Sequence, residues 1–470
     1  MARARSQLRP LALALLIPLA AAPRALAAQQ PAPALAARYR ADADRLIEAA
    51  LADSAAWNRI ARLTETFGPR FSGTPELERA IDWVMAEMRR DGLENVRGEP
   101  AMVPRWVRGR ESVELVSPRR AELPMLGLGG SIATPKDGVT AEVLVVSSFD
   151  DLRANAARAK GKIVLYDVPV TSYGETVRYR SAGAVEAAKV GAVASLIRSV
   201  GPYSMRNPHT GSMRYDSTVA RIPAAAITVE DAAMLHRMQE RGEKVVVRLA
   251  MEAQTLPDVP SRNVMGEIRG RERPEEVVVM GGHIDSWDVG RGAMDDAGGV
   301  VVAWEAVRLM KKLGLRPRRT IRVVGWTNEE NGTRGGTAYR DAHRAELDDH
   351  ILAIESDGGV FKPQGFGFTG SDSALAVVKQ VATLLERIGA GTINKGGGGA
   401  DIGPIMQLGV PGMGLDVDDT RYFWYHHSDA DTVDKLDPHE VALCVATMAV
   451  MAYVIADMPE RLPRGAAATQ

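Results

Sequence analysis

Apolar residues between positions 74 and 92 recur at intervals of three and four, the spacing that places side chains on one face of a helix. The segment opens with Thr74-Pro75-Glu76, which is a capping residue, a proline at the first helical position and an acid in the first turn. Gly92 follows the last apolar residue. The pattern predicts a helix that buries one face, through Leu77, Ala80, Ile81, Val84, Met85 and Met88.

The pattern changes between positions 117 and 254. Short β-rich runs at 143–146, 163–166 and 245–249 alternate with alanine-rich helical stretches such as 182–190. Turn-rich segments separate them, and none of the candidate metal ligands discussed below lies there. We therefore interpret residues 117–254 as an α+β domain inserted into a larger one.

Strand and helix patterns alternate regularly from Val264 onwards. This alternation predicts an α/β fold with a mostly parallel central sheet flanked by helices, built from residues 43–116 and 255–470. Ligands of such sheets gather at the C-terminal ends of the strands. The predicted elements are strands at 276–280, 320–326 and 350–354 and a helix at 299–313.

A last helix is predicted from Asp437-Pro438-His439-Glu440 to about position 456, because a capping residue and an acid three positions later precede a long apolar run. Cys444 lies in this run and is the only cysteine of the chain. We predict that it is a core residue, and a single cysteine permits no internal disulfide bond.

The composition is that of a globular protein. The chain has 470 residues, which favours two domains, with 46% apolar and 25% charged residues. Its formal net charge of −1 gives no indication of a nucleic-acid partner or of an anionic membrane surface.

The N-terminus resembles a secretory signal. Arg3, Arg5 and Arg9 precede a short apolar stretch at 11–22, and Ala25-Leu26-Ala27 fits the small-residue cleavage rule. We predict a signal peptide at 1–27, a flexible lead at 28–42 and export to the periplasm or the medium. No later segment is expected to reach a membrane-spanning length, so no membrane attachment is expected after cleavage.

Five histidines and carboxylates are of the types that bind zinc, and the first four of them lie at or just beyond the ends of apolar runs. Their carboxylates would repel one another if they converged, and two Zn²⁺ ions would remove that repulsion. The predicted ligands are His283, Asp295, Glu330, Asp357 and His427, and Glu329 lies beside the third of them.

Roles can be assigned within this set. Asp295 is the best candidate to bridge the two ions, because it lies in a glycine-flanked loop entering a helix. We assign Glu330 as a ligand and Glu329 as the general base, which then acts as acid to the leaving amine. Asp285 could accept the N–H of the His283 imidazole and fix its tautomer. His426 competes directly with His427 for the last ligand position.

These motifs together resemble the co-catalytic zinc exopeptidases, a family that includes bacterial aminopeptidases and glutamate carboxypeptidases. The family pattern is His-x-Asp, Asp-Asp-x-x-Gly, Glu-Glu, Asp, and His before Ser or Thr. It is matched here by His283-Ile284-Asp285, Asp295-Asp296-Ala297-Gly298-Gly299, Glu329-Glu330, Asp357 and His427-Ser428.

The resemblance implies a ligand set for each ion. His283 and Asp357 would bind one zinc, Glu330 and His427 the other, and Asp295 would bridge them. It favours His427 because that residue directly precedes a serine. It also implies a cis peptide bond after Asp295.

The resemblance extends to most of the chain after the signal. It implies that the inserted segment is a protease-associated domain that restricts the site to short substrates, and that a homodimer can form. One departure is Ala400 in Gly399-Ala400-Asp401, where the family has a serine in its substrate loop. This departure affects the expected substrate contact and leaves the metal ligands intact.

The leading interpretation is an exopeptidase that acts on dipeptides or short peptides. Three others stay open: an aminopeptidase of the same fold, a non-catalytic binding module on a peptidase fold, and a different two-metal hydrolase such as a deacylase or a glutaminyl cyclase relative. A cation near the site would recognise a free carboxylate and an acid would recognise a free amine. Arg334 and Arg421 are the candidate cations near the motifs.

Overall fold

The computed structural model describes residues 34–464. In chain order its strands are β1 Glu94–Val107, β2 Glu111–Ser117, β3 Ala121–Leu123, β4 Met125–Gly127, β5 Val139–Val146, β6 Ile163–Tyr166, β7 Ala194–Arg198, β8 Ala224–Ile227, β9 Val246–Met251, β10 Gln254–Ile268, β11 Arg273–His283, β12 Arg319–Trp326, β13 His350–Glu355, β14 Pro363–Thr369, β15 Thr392–Lys395 and β16 Gly412–Val417.

The α-helices follow the apolar spacing of the sequence. They are α1 Ala34–Leu51, α2 Ala55–Phe67, α3 Pro75–Arg90, α4 Phe149–Ala154, α5 Ala156–Ala159, α6 Tyr173–Lys189, α7 Val229–Glu240, α8 Gly298–Lys312, α9 Arg334–Ala342, α10 Asp372–Ala382, α11 Gly403–Met406, α12 Tyr422–Tyr425 and α13 Pro438–Asp457. Thr74 caps α3 as predicted, because its hydroxyl accepts a hydrogen bond from the Leu77 N–H.

The first sheet has the order β1-β10-β12-β11-β13-β16-β14-β15. Its centre, β12-β11-β13-β16, is parallel, which confirms the α/β class. Strand β10 runs antiparallel to both of its neighbours, β1 and β12, and β14 runs antiparallel to β16 and parallel to β15, so the whole sheet is mixed. The parallel centre directs three strand ends towards one edge, and the metal-ligand candidates follow those ends.

Helices cover both faces of the first sheet. On one face, α1, α2, α8 and α13 pack together in the largest core of the protein. A smaller core, which includes Trp326 and Tyr339, lies on the other face beneath α9 and α11. Cys444 is buried on α13 as predicted.

Helix α13 reaches the length and apolar composition of a membrane span, contrary to our expectation for the chain after its N-terminus. However, 89% of its most apolar window is buried within the protein. Its continuous apolar run is explained by burial on all sides, since α1, α2, α8, α10 and the first sheet surround it.

A second sheet, with the order β3-β2-β9-β5-β6-β7-β8-β4, uses strands between Glu111 and Met251. The chain leaves the first sheet after Val107 and returns at Gln254, and these two residues are paired neighbours on β1 and β10. The segment is therefore attached to the first sheet through one two-stranded ribbon. The predicted domain boundaries at 117 and 254 stay predictions.

The lead predicted as flexible at 28–42 is helical from Ala34 onwards, so that prediction is wrong for residues 34–42. Ala36 and Tyr39 are buried, and the Tyr39 hydroxyl donates a hydrogen bond of 3.1 Å to the Asp457 carboxylate on α13. This tertiary packing outweighs a local composition typical of flexible segments. Residues 28–33 and the predicted signal peptide at 1–27 lie outside the described residues.

Candidate metal centre

The predicted ligands meet at the C-terminal edge of the parallel strands. His283 is the last residue of β11, Glu330 follows β12, and Asp357 follows β13. Asp295 lies in the irregular turn Ala293–Ala297 that leads into α8, and His427 follows the short helix α12. The peptide bond between Asp295 and Asp296 is cis, as the resemblance implies.

The Asp295 carboxylate lies between two imidazoles. Its Oδ1 is 3.0 Å from His283 Nε2, and its Oδ2 is 3.3 Å from His427 Nε2. Asp357 Oδ1 lies 3.3 Å from the same His283 nitrogen, and Glu330 Oε2 lies 3.1 Å from the same His427 nitrogen. The five side chains therefore form two sets of nitrogen and oxygen donors that share one carboxylate.

The residues fit divalent metal ions. Possible ligand atoms from His283, Asp295 and Glu330 all lie within 4.8 Å of one another, and the three residues are buried. Asp295 Oδ2 has no hydrogen-bond partner although it is buried, which is costly for a carboxylate oxygen without a cation. Imidazole nitrogen and carboxylate oxygen are donors that zinc accepts in tetrahedral sites.

His426 is also close to the cluster. Its Nε2 lies 3.5 Å from Asp295 Oδ2, and its ring stacks on that of His427 with centroids 3.5 Å apart. The His427 ring has the additional contact with Glu330 Oε2. The choice of His427 over His426 as ligand stays a prediction.

Glu329 and Glu330 have different surroundings. Glu330 is buried, and its Oε1 accepts a hydrogen bond of 3.2 Å from the main-chain N–H of Trp287. Glu329 lines the cleft over the cluster. Burial, together with the charges of Asp357 and Asp295, raises the pKa of Glu329 to about 8. Burial and the Asp295 charge likewise raise the pKa of Glu330.

Asp285 supports both sides of the cluster, in a way that differs in part from the expectation. Its main-chain oxygen lies 3.0 Å from His283 Nδ1, whereas the nearer carboxylate oxygen is 3.6 Å away. The carboxylate instead accepts hydrogen bonds from the N–H groups of Glu329 and Glu330, at 3.1 and 3.4 Å. Asp285 therefore holds the Glu-Glu loop with its side chain and contacts the imidazole with its backbone.

Asp431 positions Asp295, a role that the sequence analysis did not assign. Its carboxylate accepts hydrogen bonds from the N–H groups of Ala293, Met294 and Asp295, at 2.8, 2.9 and 3.3 Å. Burial and the nearby Asp295 charge raise its pKa to about 7. Its place shortly after His427-Ser428 was the only signal available in the sequence.

Arg70 joins the loops beneath the cluster and was not identified from the sequence. Its fully buried guanidinium donates to the main-chain oxygens of Ile284, Arg291 and Gly292, at 2.9, 2.7 and 2.9 Å. A single arginine in a loop has no feature in the sequence that distinguishes it from a surface residue.

A cleft of about 480 Å³ opens over the cluster, and loops and helices of both parts of the chain contribute to its walls. The segment that carries the second sheet supplies Tyr173, Arg180, Ser212, Met213 and Arg214. No site residue was predicted in this segment from the sequence, so these side chains were missed.

The two candidate cations of the sequence analysis do not line this cleft. Arg421 makes an ion pair of 2.7 Å with Glu440 and lies over the Phe361 ring. Arg334 begins α9 and is likewise absent from the cleft lining.

Comparison with known proteins agrees with this geometry. Residues 263–452 match Peptidase family M28. The chain is 50% identical to carboxypeptidase Q of Mus musculus over 408 residues, which covers 87% of each protein. It is 49% identical to carboxypeptidase Q of Homo sapiens over 413 residues, or 88% of each.

Solved structures share the architecture. A peptidase M28 precursor from Shewanella amazonensis superposes with a TM-score of 0.89 at 37% identity and covers 92% of this chain and 99% of its own. A zinc aminopeptidase from Bacillus subtilis has a TM-score of 0.65 at 21% identity, over 87% of this chain and 96% of its own, and so shares the fold.

Proposed function

The chain belongs to peptidase family M28, and from that membership we propose that it is an exopeptidase that uses two zinc ions to hydrolyse dipeptides or short peptides. Its identity to carboxypeptidase Q over most of its length supports a zinc-dependent exopeptidase of the carboxypeptidase Q type. The observation that carries the proposal is the Asp295 carboxylate, which has one oxygen towards each of two histidines.

His283 and Asp357 would hold one zinc ion, Glu330 and His427 would hold the other, and Asp295 would bridge them. Three carboxylates against the four positive charges of two zinc ions leave the centre with one positive charge. When bound, zinc polarises the scissile carbonyl and lowers the pKa of water to about 7, so that hydroxide is available at neutral pH. The protein contributes the fixed placement of these ligands through Asp431, Arg70 and Asp285.

Glu329 would act as the general base. In the cleft its carboxylate accepts the proton of the attacking water and then delivers it to the leaving amine. The hydrogen bond from its own N–H to the Asp285 carboxylate fixes the loop that carries it. Burial disfavours the charged form of Glu329, which makes it a stronger acceptor than an exposed glutamate.

The second candidate function is an aminopeptidase of the same fold, which the architecture shared with the Bacillus subtilis enzyme supports. A non-catalytic binding module is disfavoured, because such a protein needs none of the five ligands or the base, and all six residues are present here.

One experiment tests the proposal. The purified protein, with its zinc content measured, is offered a free dipeptide, the N-acetylated form and the C-terminal amide. We expect about two zinc ions per chain, hydrolysis of the free dipeptide, loss of activity with a chelator and recovery with added zinc. Active protein without bound transition metal would refute the metal assignment. The blocked form that survives identifies the terminus that is recognised.

We further propose that the inserted segment is a protease-associated-type domain that limits substrate length, between catalytic parts 43–116 and 255–470. Its side chains in the cleft wall support this role. Comparable turnover of a dipeptide and an unfolded protein chain would contradict it. A homodimer, implied by the resemblance, is tested by the mass of the protein in solution.

Export is proposed from the N-terminal sequence, with periplasmic or extracellular protein that begins near Ala28. The N-terminal sequence of protein from the native host tests this. Protein that retains residues 1–27 would contradict cleavage.

A further inference from the structure

We propose that the inserted segment positions one of the two zinc ions. Its residues 199–211, the holding loop, contact residues 418–431, the ligand loop, which carries His427. Zinc affinity at the position of Glu330 and His427 then depends on how the inserted segment is docked. The inference rests on the proposed function, since it takes His427 as a zinc ligand, and it gives the segment a role beyond the cleft wall.

His427 has a backbone conformation that needs support from its surroundings. Its φ is +59°, in the left-handed region that residues with a side chain rarely adopt. Such a conformation persists where surrounding contacts fix it. The holding loop makes a contact of this kind, because the Thr210 N–H donates a hydrogen bond of 2.8 Å to the main-chain oxygen of His427. The direction in which the ligand loop presents this histidine is therefore fixed from the inserted segment.

The ring of His427 contacts the same residue. Its Nδ1 lies 3.4 Å from the Thr210 main-chain oxygen. A histidine that binds a metal ion through Nε2 carries its proton on Nδ1, and an oxygen acceptor at Nδ1 fixes the orientation of the ring. Arg180 Nη1 lies at the same distance from Nδ1 but is itself a donor, so the Thr210 oxygen is the acceptor of the two.

Thr210 is anchored within the inserted segment. Its hydroxyl donates a hydrogen bond of 2.8 Å to the main-chain oxygen of Gly127, the last residue of β4. The main-chain oxygen of the next residue, Gly211, accepts a hydrogen bond of 3.0 Å from the Gly129 N–H. Both contacts with His427 are therefore tied to the second sheet and move with it.

Side chains of the holding loop extend the contact to both sides of His427. Asn207 Nδ2 donates a hydrogen bond of 3.0 Å to the hydroxyl of Ser428, the residue that follows the histidine. The Tyr203 ring packs edge-on against the ring of Trp424, three residues before the histidine, with centroids 5.5 Å apart. The histidine is thus held between two side-chain contacts as well as by its own main chain.

The two loops approach each other most closely at Gly201. A Cβ there would lie 2.9 Å from the main-chain oxygen of Phe423, so no side chain fits between them. The Tyr173 ring, on α6 of the same segment, stacks on the Phe423 ring with centroids 4.9 Å apart. A movement of the inserted segment that widened the cleft would pull on these contacts. The width of the cleft is therefore coupled to the retention of one zinc ion.

The other zinc position has its support elsewhere. Within residues 34–464, the polar contacts of the His283 ring are with three acidic residues outside the inserted segment, Asp285, Asp295 and Asp357. Loosening the holding loop should consequently weaken the binding of one zinc ion and leave the other unchanged. A general loss of stability would affect both ions, so this selectivity distinguishes a positioning role from a merely structural one.

The test measures the two zinc affinities of the metal-free protein by competition with a chelator of known affinity. Tyr203→Ala and Asn207→Ala, combined in one chain, are expected to weaken the binding of one zinc ion by about 10- to 100-fold, as loss of the partners of a metal ligand does. The matched control is Met205→Ala. Met205 lies between the two residues in the same loop, is 80% exposed and should change neither affinity.

A double-mutant cycle identifies the contact and the ion. Asn207→Ala should have no further effect on zinc affinity in a Ser428→Ala protein, because the hydrogen bond that it removes is already absent. In a His427→Ala protein, which should keep only the other zinc ion, the combined loop variant should leave the remaining affinity unchanged. An additive loss in the first background, or a weakened remaining ion in the second, would overturn the proposal.

Thermal unfolding of each metal-free variant accompanies the affinities. Equal weakening of both zinc ions, or unchanged affinities in the combined variant, would overturn the proposal. If the combined variant does not fold, Asn207→Ala alone decides: we expect one affinity to fall by about 3- to 10-fold, the effect of one hydrogen bond, and no change would overturn the proposal. A wild type that binds two zinc ions but cleaves no free dipeptide would refute the proposed function alone, and the affinities would still decide this inference.

Discussion

Two adjacent glutamates have opposite predicted roles at the scale of single residues. Glu329→Gln should lower kcat by about 10²- to 10⁴-fold with both metals retained, because it removes the proton acceptor and touches no ligand. Glu330→Gln should lower the zinc content, since Glu330 lies 3.1 Å from His427 Nε2. Metal analysis together with steady-state kinetics checks both predictions. If Glu329→Gln loses zinc and Glu330→Gln keeps it, Glu329 is the ligand and Glu330 the general base.

The two stacked histidines are separated by a similar comparison. His427→Ala should lower the zinc content of the purified protein, because the His427 ring alone contacts both Asp295 and Glu330. His426→Ala is the matched control and should leave the zinc content near that of the wild type. A loss of zinc only in the His426 variant would show that His426, and not His427, is the zinc ligand.

Three of the ligand candidates, His283, Glu330 and Asp357, could be predicted from sequence because each follows the apolar run of a strand. Parallel strands end at one edge, so residues far apart in the chain, such as His283 and Asp357, are expected to converge. Arg70 and Arg180 could not be predicted in the same way. Both carry a charge, which usually indicates a surface residue, and only the packing of distant segments around them reveals their burial.

At the scale of elements, the turn Ala293–Ala297 depends on the loop that contains Asp431. Asp431→Asn should weaken zinc binding by about 10- to 100-fold, because its carboxylate accepts three N–H bonds from the turn that carries Asp295, the proposed bridging ligand. Zinc affinity measured by competition with a chelator checks this. Asp434→Asn, in the same loop but exposed, is the control, and an equal effect of both changes would contradict a specific role of Asp431.

Periodicity predicted the elements with regular internal spacing, including α3, α8 and the three central strands. It did not predict that α1 begins at Ala34, because alanine, proline and glutamine are typical of flexible segments and the stabilising partner, α13, lies about four hundred residues later. The antiparallel direction of β10 and β14 was also not predicted. A strand has the same apolar pattern whichever way its neighbour runs.

At the scale of the whole molecule, removal of zinc should make stability depend on pH. Burial and nearby carboxylates raise the pKa of Glu329 to about 8, and burial with neighbouring acids raises those of Asp431 and Glu355 to about 7. A carboxyl group whose pKa is higher in the folded state than in the unfolded state stabilises the folded protein fully at pH values below the unfolded-state pKa. This contribution is lost as pH rises through the folded-state pKa.

We therefore expect the melting temperature of the metal-free protein to fall between pH 6.5 and pH 8. In this range histidines with lowered pKa values, such as His426 and His427, are already neutral in the folded state and contribute little further change. When zinc is bound, its positive charge compensates the carboxylates, so they no longer need to be protonated. Calorimetry of the metal-free and the zinc-reloaded protein checks this. A difference in melting temperature between the two that stays constant across this pH range would contradict it.

Helix α13 has a consequence for the order in which the protein can fold. It is the last long element of the chain, it lies in the centre of the largest core, and α1, the first described element, packs against it. The N-terminal helix contacts α8 and α10 as well, but its most extensive partner, α13, is not available until synthesis is almost finished. The largest core is complete only once the C-terminal residues are available, so a chain shortened before Pro438 leaves α1, α2 and α8 without the helix that they pack against.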